Sequence, residues 1–286
     1  MESSSHYLLC RGRELHYLDF GPQDAPVVVA WHGLARNAHD MDVVAQHLAG
    51  RFRVICPDTI GRGLSAWSPD PAREYCLDFY VELAESLLDT LGISRCLWLG
   101  TSMGGAIGLR AAAGLLRGRI DRLILNDIGP EISAAAVERI RSYAGQPPSF
   151  ATVRELAQYF RTIYAPFGTL SDAQWLHLTE TSLRRLPDGR VTPHYDPQIV
   201  QQFIVHPHDY AQWPAWDSLS LPVLCLRGER SDLLLPEVTE QMKRRGPRAD
   251  VITIPGCGHA PALHVPEQLA LIDEFFSAKL VRSGGG

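Results

Sequence analysis

The stretch LWLGTSMGG, residues 97–105, joins a short apolar run to a serine set between glycines. The run is typical of a strand buried on both faces of a parallel sheet, and residues 103–116 have a helical pattern. A serine between such a strand and helix occupies a sharp turn that pushes its hydroxyl out of the sheet, and only small neighbours allow this close approach. The GxSxG pattern therefore predicts that Ser102 is a nucleophile. The alternative is an inert serine in a glycine-rich turn.

Further short apolar runs, each ending at Gly or Asp, predict that this strand belongs to a parallel sheet. They are VVVAWHG (27–33), FRVICPD (52–58), RLILND (122–127), PVLCLRG (222–228) and DVITIPG (250–256). Helical patterns separate several of them, including residues 77–92, with Asp78 as the predicted N-cap and Gly92 as the stop. A final amphipathic helix is predicted near the C-terminus. Alternating strands and helices indicate an α/β fold with helices on both faces of the sheet.

The alternation stops between residues 131 and 216, where no strong strand pattern occurs. Capping-box signals open two amphipathic stretches there, one with Thr152 and Glu155 and one with Ser171 and Gln174. The segment is too long to be a loop, so it is predicted to be a mostly helical insertion. The predicted organisation is a core at 1–130 and 217–282, a helical cap at 131–216 and a flexible tail at 283–286.

Composition excludes several function classes. The chain has 286 residues and a net charge of -5, with no prominent basic run, which argues against nucleic acid or an anionic membrane as a partner. Its apolar stretches are shorter than the ~20 residues of a membrane span, and its first residues lack a signal-peptide pattern, so a cytoplasmic protein is expected. Six cysteines without a CxxC pair predict free buried thiols in a reducing compartment and no metal site.

A serine hydroxyl needs a histidine base, which in turn needs a carboxylate to hold its tautomer. His259 follows the last strand pattern, in the glycine-rich loop PGCGHAPAL, and is the predicted base. Two carboxylates compete for the third role. Asp232 lies in the loop GERSDLL after one strand, and Asp127 directly ends another. Both precede His259 in the chain, so order does not decide; Asp232 is favoured and Asp127 is the alternative.

Acyl transfer also requires donors aimed at the developing oxyanion. The backbone N–H of Met103, just after the serine, is one predicted donor. The backbone N–H of Leu34, in the loop after the strand pattern 27–33, is the other. In the stretch DTIGRGLS, residues 58–65, Asp58 and Ser65 are predicted to anchor a loop by hydrogen bonds rather than to take part in chemistry.

A few residues are predicted to line a substrate pocket. His32 is either a second base or, more simply, an orienting residue of the HG turn. Arg36, in the same loop, could clamp a carboxylate. The aromatic residues of the insertion, with Tyr164, Phe167 and Trp213 as the chosen candidates, suggest an apolar acyl or aryl pocket, although aromatics in a small helical unit are more often packing residues.

Together, HGL at 32–34, DTIGRGLS at 58–65, GTSMGG at 100–105, RGERSD at 227–232 and GCGH at 256–259 resemble the α/β-hydrolase family in its single-cap branch. The resemblance implies an eight-stranded, mostly parallel sheet with a cap between the sixth and seventh strands. It also implies that the family's nucleophile, acid and base fall on Ser102, Asp232 and His259, and its oxyanion hole on Leu34 and Met103.

The resemblance implies a serine hydrolase that cleaves small to medium apolar acyl or aryl esters through an acyl-enzyme, without a metal or cofactor. Ser102 argues against haloalkane dehalogenases and epoxide hydrolases of this fold, which have an aspartate at this turn. A lactonase, a thioesterase or a C–C bond hydrolase remains an alternative. A non-catalytic ligand-binding protein is the alternative from another class. The expected partner is a small ester-type molecule.

Overall fold

A single large sheet organises the chain in the computed structural model, which describes residues 3–278; the tail predicted at 283–286 lies outside them. The strands are β1 (Ser4–Cys10), β2 (Arg13–Phe20), β3 (Val27–Trp31), β4 (Arg53–Pro57), β5 (Cys96–Thr101), β6 (Ile120–Asn126), β7 (Leu183–Arg185), β8 (Val191–Pro193), β9 (Val223–Gly228) and β10 (Asp250–Ile254). The α-helices are α1 (Asp42–Leu48), α2 (Pro71–Glu74), α3 (Leu77–Thr90), α4 (Met103–Ala113), α5 (Ala134–Ala144), α6 (Val153–Ile163), α7 (Asp172–Thr181), α8 (Gln201–Val205), α9 (Trp213–Asp217), α10 (Pro236–Met242) and α11 (Pro266–Ser277).

The large sheet has eight strands in the order β1-β2-β4-β3-β5-β6-β9-β10. Within this sheet the six strands β4, β3, β5, β6, β9 and β10 pair parallel with their neighbours. In contrast, β2 pairs antiparallel both with β1 and with β4. The predicted eight-stranded, mostly parallel sheet is thus confirmed. The six apolar runs correspond to the parallel strands; β1 was not among them because its residues are largely exposed at the sheet edge.

Two hydrophobic layers cover the two faces of this sheet. Successive residues of β5 face opposite sides, so Trp98 packs into one layer while Leu97 and Leu99 pack into the other. Every residue of β4 and of β9 is buried. This explains why the central strands have continuous apolar sequences instead of an alternating pattern.

The segment between β6 and β9 contains α5 to α9 and the antiparallel pair β7–β8. Both predicted capping boxes are present, at the starts of α6 and α7. These two helices and β8 enclose a small hydrophobic cluster of their own, which includes Phe160 and Trp175. By contrast, α5 and α9 pack on the main core through residues such as Ile140 and Trp216. Part of the insertion therefore shares the main hydrophobic core, and part of it has a hydrophobic cluster of its own.

Two local expectations can be compared directly with the helix ends. Gly92 follows α3 with φ 67°, as a helix-ending glycine should. Asp78 is not the N-cap of α3: Cys76 has that position, and Asp78 lies in the first turn, where it pairs with Arg110.

All six cysteines are free and buried, as predicted. Over residues 3–278, the helices are too short or too polar for any of them to cross a bilayer.

Candidate active site

Ser102 lies in the tight turn between β5 and α4, with φ 52° and ψ -116°. This strained conformation is common at functional sites. The turn fits because the residues two positions before and after Ser102 are glycines. A Cβ added to Gly100 would lie 2.2 Å from the backbone of Gly104, and one added to Gly104 would lie 2.2 Å from the carbonyl oxygen of Trp31. The glycines of the motif are thus required by backbone contact.

A chain of two hydrogen bonds connects Ser102 to a buried carboxylate. Ser102 Oγ lies 2.8 Å from His259 Nε2, and His259 Nδ1 lies 2.7 Å from Asp127 Oδ2. Since a carboxylate only accepts, Nδ1 carries the proton and Nε2 is free to accept one from the serine hydroxyl. Asp127 is fully buried and also accepts from the Gly228 N–H and the Ser231 hydroxyl, at 2.8 and 2.6 Å. The carboxylate is therefore held rigidly against the imidazole.

The structure brings the alternative acid, and not the favoured one, to His259. Asp232 pairs with Arg139 at 2.7 Å, and 55% of its side chain is exposed. Strand pairing explains the difference. Ser102 and Asp127 directly follow Thr101 and Asn126, which are partners in the β5–β6 register, so both emerge at the same point of the sheet edge.

The loop after β9 directs Ser231, rather than Asp232, into the site. Arg227 holds this loop by donating from Nε to the Leu234 carbonyl at 2.8 Å and from Nη2 to the Ser231 carbonyl at 3.3 Å. Ser231 Oγ then reaches Asp127, while Asp232 pairs with Arg139 at the wall of the cavity. A sequence pattern that places an acid after this strand cannot reveal which way the loop turns.

The residues predicted to form the oxyanion hole flank the serine. A Cβ added to Gly33, next to Leu34, would lie 3.6 Å from Ser102 Cβ, so this loop runs close to the nucleophile. Met103 is the first residue of α4, where N–H groups have no partner within the helix. Within the described part of the chain, no hydrogen-bond acceptor is found for the backbone N–H of Leu34 or of Met103.

His32 is hydrogen-bonded through both of its ring nitrogens, to the loop that contains Gly33 and to Thr59. It is fully buried, with Nδ1 2.6 Å from the Gly33 carbonyl oxygen and Nε2 accepting from the Thr59 N–H at 2.9 Å. Burial lowers its pKa to about 4, so the imidazole is neutral near pH 7. The inclusion of His32 among the pocket residues is therefore corrected; the orienting interpretation matches its contacts.

Arg62 is a supporting residue that the sequence reasoning overlooked. Its buried guanidinium donates to the Leu34 carbonyl at 2.8 Å and to the Tyr80 hydroxyl at 2.8 Å, and Nη2 lies 3.5 Å from Met103 Sδ. It thus contacts both residues of the predicted oxyanion hole. Arg62 lies within DTIGRGLS, the stretch whose Asp58 and Ser65 do form the expected hydrogen-bonded anchor.

A cavity of about 730 Å³ adjoins Ser102 and His259 and is lined by both the core and the insertion. Arg36, Tyr164 and Phe167 line it, as predicted. Trp213 does not, because its indole N–H donates to Glu131 at 2.7 Å and its ring packs against Arg245. The predicted aromatic pocket therefore comes from the segment around Tyr164, not from α9.

The guanidinium of Arg36 is buried beside this cavity. Its Nε and Nη2 donate to Asp40, at 2.9 and 2.6 Å, and its Cζ lies 4.7 Å from the centre of the Tyr164 ring. The adjacent carboxylate of Asp40 raises the pKa of Arg36, although burial opposes this effect. Nη1 has no hydrogen-bond partner among residues 3–278. Arg36 therefore lines the cavity while one of its donors is buried behind the surface.

The fold and this site can be compared with known proteins. A sequence model of the alpha/beta hydrolase family matches residues 27–270, and the chain belongs to that family. The predicted enzyme class, a hydrolase, is likewise confirmed: the relatives include proteins named for hydrolysis of esters.

Three relatives show the extent of the similarity. The chain is 39% identical over 271 residues to the 3-hydroxybutyrate-oligomer hydrolase of Cupriavidus necator, covering 91% of this chain and 92% of that protein. It is 29% identical to the pimeloyl-[acyl-carrier protein] methyl ester esterase of Nitrosomonas europaea, covering 86% and 93%. A solved alpha/beta hydrolase from Novosphingobium aromaticivorans superposes with a TM-score of 0.84 at 34% identity, covering 96% and 98%.

Proposed function

We propose that the protein cleaves carboxylic esters through an acyl-enzyme on Ser102. The observation that carries this proposal is the hydrogen-bonded series from Ser102 through His259 to Asp127 at the wall of a cavity. His259 takes the hydroxyl proton as Ser102 attacks the carbonyl carbon, and Asp127 stabilises the imidazolium that forms. His259 then protonates the leaving alcohol. A water molecule, deprotonated by His259, hydrolyses the acyl-enzyme and regenerates the serine.

The N–H groups of Leu34 and Met103 are the proposed oxyanion donors. Their freedom from other acceptors and the closeness of the Gly33 loop to Ser102 support this role. The helix dipole of α4 adds a partial positive charge at the same point. In this mechanism Arg62 is a positioning residue, because its bond to the Leu34 carbonyl fixes the peptide group that directly follows the proposed donor.

The proposed substrate class is a short linear oligoester of a hydroxy acid. The similarity to the 3-hydroxybutyrate-oligomer hydrolase supports it, as does a cavity of about 730 Å³, which is in the range of ligand-binding pockets. An oligoester offers further carbonyl oxygens beyond the scissile bond, and Arg36 Nη1 is a buried donor in need of an acceptor. Because Asp40 already balances the charge of Arg36, a neutral carbonyl is a fitting partner.

In this proposal residues 131–216 act as the cap over the site. Backbone bonds connect the two parts beside the base: the Gly258 N–H donates to the Pro166 carbonyl at 2.7 Å, and the Ala262 N–H donates to the Phe167 carbonyl at 3.1 Å. The six free thiols support a reducing location, and we place the protein in the cytoplasm.

The test is a hydrolysis panel with the purified full chain: 3-hydroxybutyrate dimer and trimer, p-nitrophenyl butyrate, a lactone, an acyl thioester and a ring-cleavage diketone. We expect ester cleavage, with the highest kcat/KM on the oligomers, and loss of all turnover in Ser102→Ala. Exclusive cleavage of the lactone, thioester or diketone would assign one of the alternative activities. Tight binding of the trimer without turnover of any compound would indicate a binding protein.

Arg36→Lys tests the substrate class separately, because lysine can keep the ion pair with Asp40 but lacks the second guanidinium N–H. We expect kcat/KM for the trimer to fall about tenfold, as for loss of a hydrogen bond to a charged donor, with a much smaller change for p-nitrophenyl butyrate. Equal losses on both substrates would contradict the oligoester contact while leaving the esterase mechanism in place.

A further inference from the structure

Three side chains with metal-binding groups converge where the turn before α1 meets the insertion. His39 Nδ1 lies 2.9 Å from Asp42 Oδ2, and His177 Nε2 lies 2.8 Å from the same oxygen. The three ligand atoms all lie within 4.8 Å of one another. His39 belongs to the turn before α1 and Asp42 begins α1, whereas His177 comes from α7 of the insertion. The cluster therefore joins two parts of the chain that are far apart in sequence.

The position of α7 is set independently of this cluster. Asn37 donates from its side-chain amide to the Thr181 carbonyl at 2.7 Å, which ties the end of α7 to the loop before α1. His39 and His177 also face each other edge to face, with ring centres 5.7 Å apart. The ligand atoms are consequently brought together by the fold, so that little ordering of the chain is needed to bind an ion.

The donor set suits a divalent transition metal. Two imidazole nitrogens and one carboxylate oxygen are ligands that Zn²⁺ accepts, with tetrahedral bonds of about 2.0–2.2 Å, so that ligand atoms stand about 3.3 Å apart. The two nitrogen-to-carboxylate separations, 2.8 and 2.9 Å, would need to open by about half an ångström, and the two nitrogens already lie within 4.8 Å of each other. Asp42 Oδ1 is buried and has no partner in the described part of the chain, so the carboxylate retains an unused acceptor.

Ligation is compatible with neutral imidazoles. Each ring now directs one nitrogen at Asp42; to ligate through that nitrogen, it must carry its proton on the other nitrogen. The side chain of His39 is 33% exposed and that of His177 is 53% exposed, so both of the other nitrogens have access to solvent or to polar neighbours. With one carboxylate and two neutral rings, the occupied cluster would carry a net charge of +1, and water would supply the fourth ligand.

We propose that His39, Asp42 and His177 form a Zn²⁺ site that ties the insertion to the core. Both histidines also line the cavity that contains Ser102, and the exposure of His177 places the cluster where that cavity meets solvent. An ion bound there cross-links α7 to the start of α1. It thereby restrains any separation of the two parts beside the cavity, without contacting the reacting atoms.

The experiment is a calorimetric titration of the chelator-treated full chain with ZnCl₂. We expect one ion per chain, and at least about tenfold weaker affinity in His177→Ala and in Asp42→Asn. His47→Ala is the matched control, because His47 is an exposed histidine on α1 outside the cluster, and its zinc affinity should equal that of the wild type. Melting temperatures without metal verify that each variant is folded.

A second control separates this site from binding at the base of the proposed catalytic series. His259→Ala should keep the wild-type zinc affinity. Zinc should also slow amide hydrogen exchange in α7, both in the wild type and in His259→Ala. Absence of a stoichiometric zinc site, or unchanged affinity in both His177→Ala and Asp42→Asn, would overturn the proposal. Loss of binding in His259→Ala alone would overturn it too, since the ion would then belong to the active site.

Discussion

Asp127→Asn is the most informative change, because the sequence favoured a different acid. The Asp127 carboxylate accepts three hydrogen bonds: Oδ1 from the Gly228 N–H, and Oδ2 from the Ser231 hydroxyl and from His259 Nδ1. Asparagine would place one acceptor oxygen and one NH₂ donor group at the two positions that the carboxylate oxygens Oδ1 and Oδ2 now occupy. In one orientation its amide faces the Gly228 N–H, and in the other it faces His259 and Ser231.

Both orientations have a measurable cost. A donor left facing a donor in a fully buried position should lower the unfolding free energy by about 1–3 kcal/mol. The loss of the carboxylate removes the stabilisation of the imidazolium and the control of its tautomer, for which a fall of about 10⁴-fold in kcat is expected. This corresponds to about 5–6 kcal/mol in activation free energy, well above the stability cost.

The assay compares kcat for an activated ester in Asp127→Asn and in Asp232→Asn, with urea unfolding of both. Asp232 is largely exposed and paired only with Arg139, so its variant should keep kcat within about twofold and lose less than about 1 kcal/mol of stability. A fall in Asp232→Asn as large as that in Asp127→Asn, or near wild-type activity in a folded Asp127→Asn, would refute the reasoning.

Three further expectations concern the turn, the nucleophile and a buried histidine. Gly100→Ala should cost at least about 2–3 kcal/mol of stability or prevent folding, because the new Cβ meets backbone at 2.2 Å; Gly50→Ala, with no atom near the added carbon, should be neutral in the same urea titration, and equal effects would contradict the contact argument. A fluorophosphonate should label Ser102 and not Ser5 in peptide mass spectrometry, although Ser5 Oγ also lies 2.8 Å from an imidazole that pairs with a carboxylate, since Ser5 lies on an exposed edge strand outside the cavity. Labelling of both would show that the pairing alone suffices. Burial lowers the pKa of His32 to about 4, so as the pH falls this imidazole is protonated in the unfolded chain before it is protonated in the folded one. Its contribution should lower the unfolding free energy by about 3 kcal/mol between about pH 6.5 and pH 4. A His32 NMR resonance that titrates near pH 6.5 would contradict this.

Local signals predicted much of the architecture because they act over a few residues. The strand-to-helix turn at Ser102 requires small neighbours, and the parallel strands require continuous apolar runs, so both leave clear patterns. Capping boxes at Thr152 and Ser171 are also local, and both formed. The edge strand β1 has a weaker pattern because few of its residues are enclosed, and β7 and β8 have only three residues each, too few for a clear pattern.

Pocket residues were less predictable, since a pocket depends on which way a side chain turns. Tyr164 and Trp213 are both aromatic residues of the insertion, yet only Tyr164 lines the cavity. Trp213 satisfies its indole N–H at Glu131 on another side. The position of Arg62 in the stretch DTIGRGLS does not indicate its role, because that role depends on contacts with Leu34 and Met103, which are distant in sequence.

The sequence by itself determined the family, the strained turn at Ser102 and the histidine that hydrogen-bonds to this serine, His259. Each of these depends on a short motif with a local physical requirement. It left two carboxylates in equivalent positions, each after a strand and before His259. The tertiary structure decided between them: pairing of β5 with β6 brings Asp127 to the edge beside Ser102, while the loop after β9 directs Asp232 to Arg139 and not to His259. Strand register and loop direction are set by packing across the whole sheet, so no local pattern encodes them.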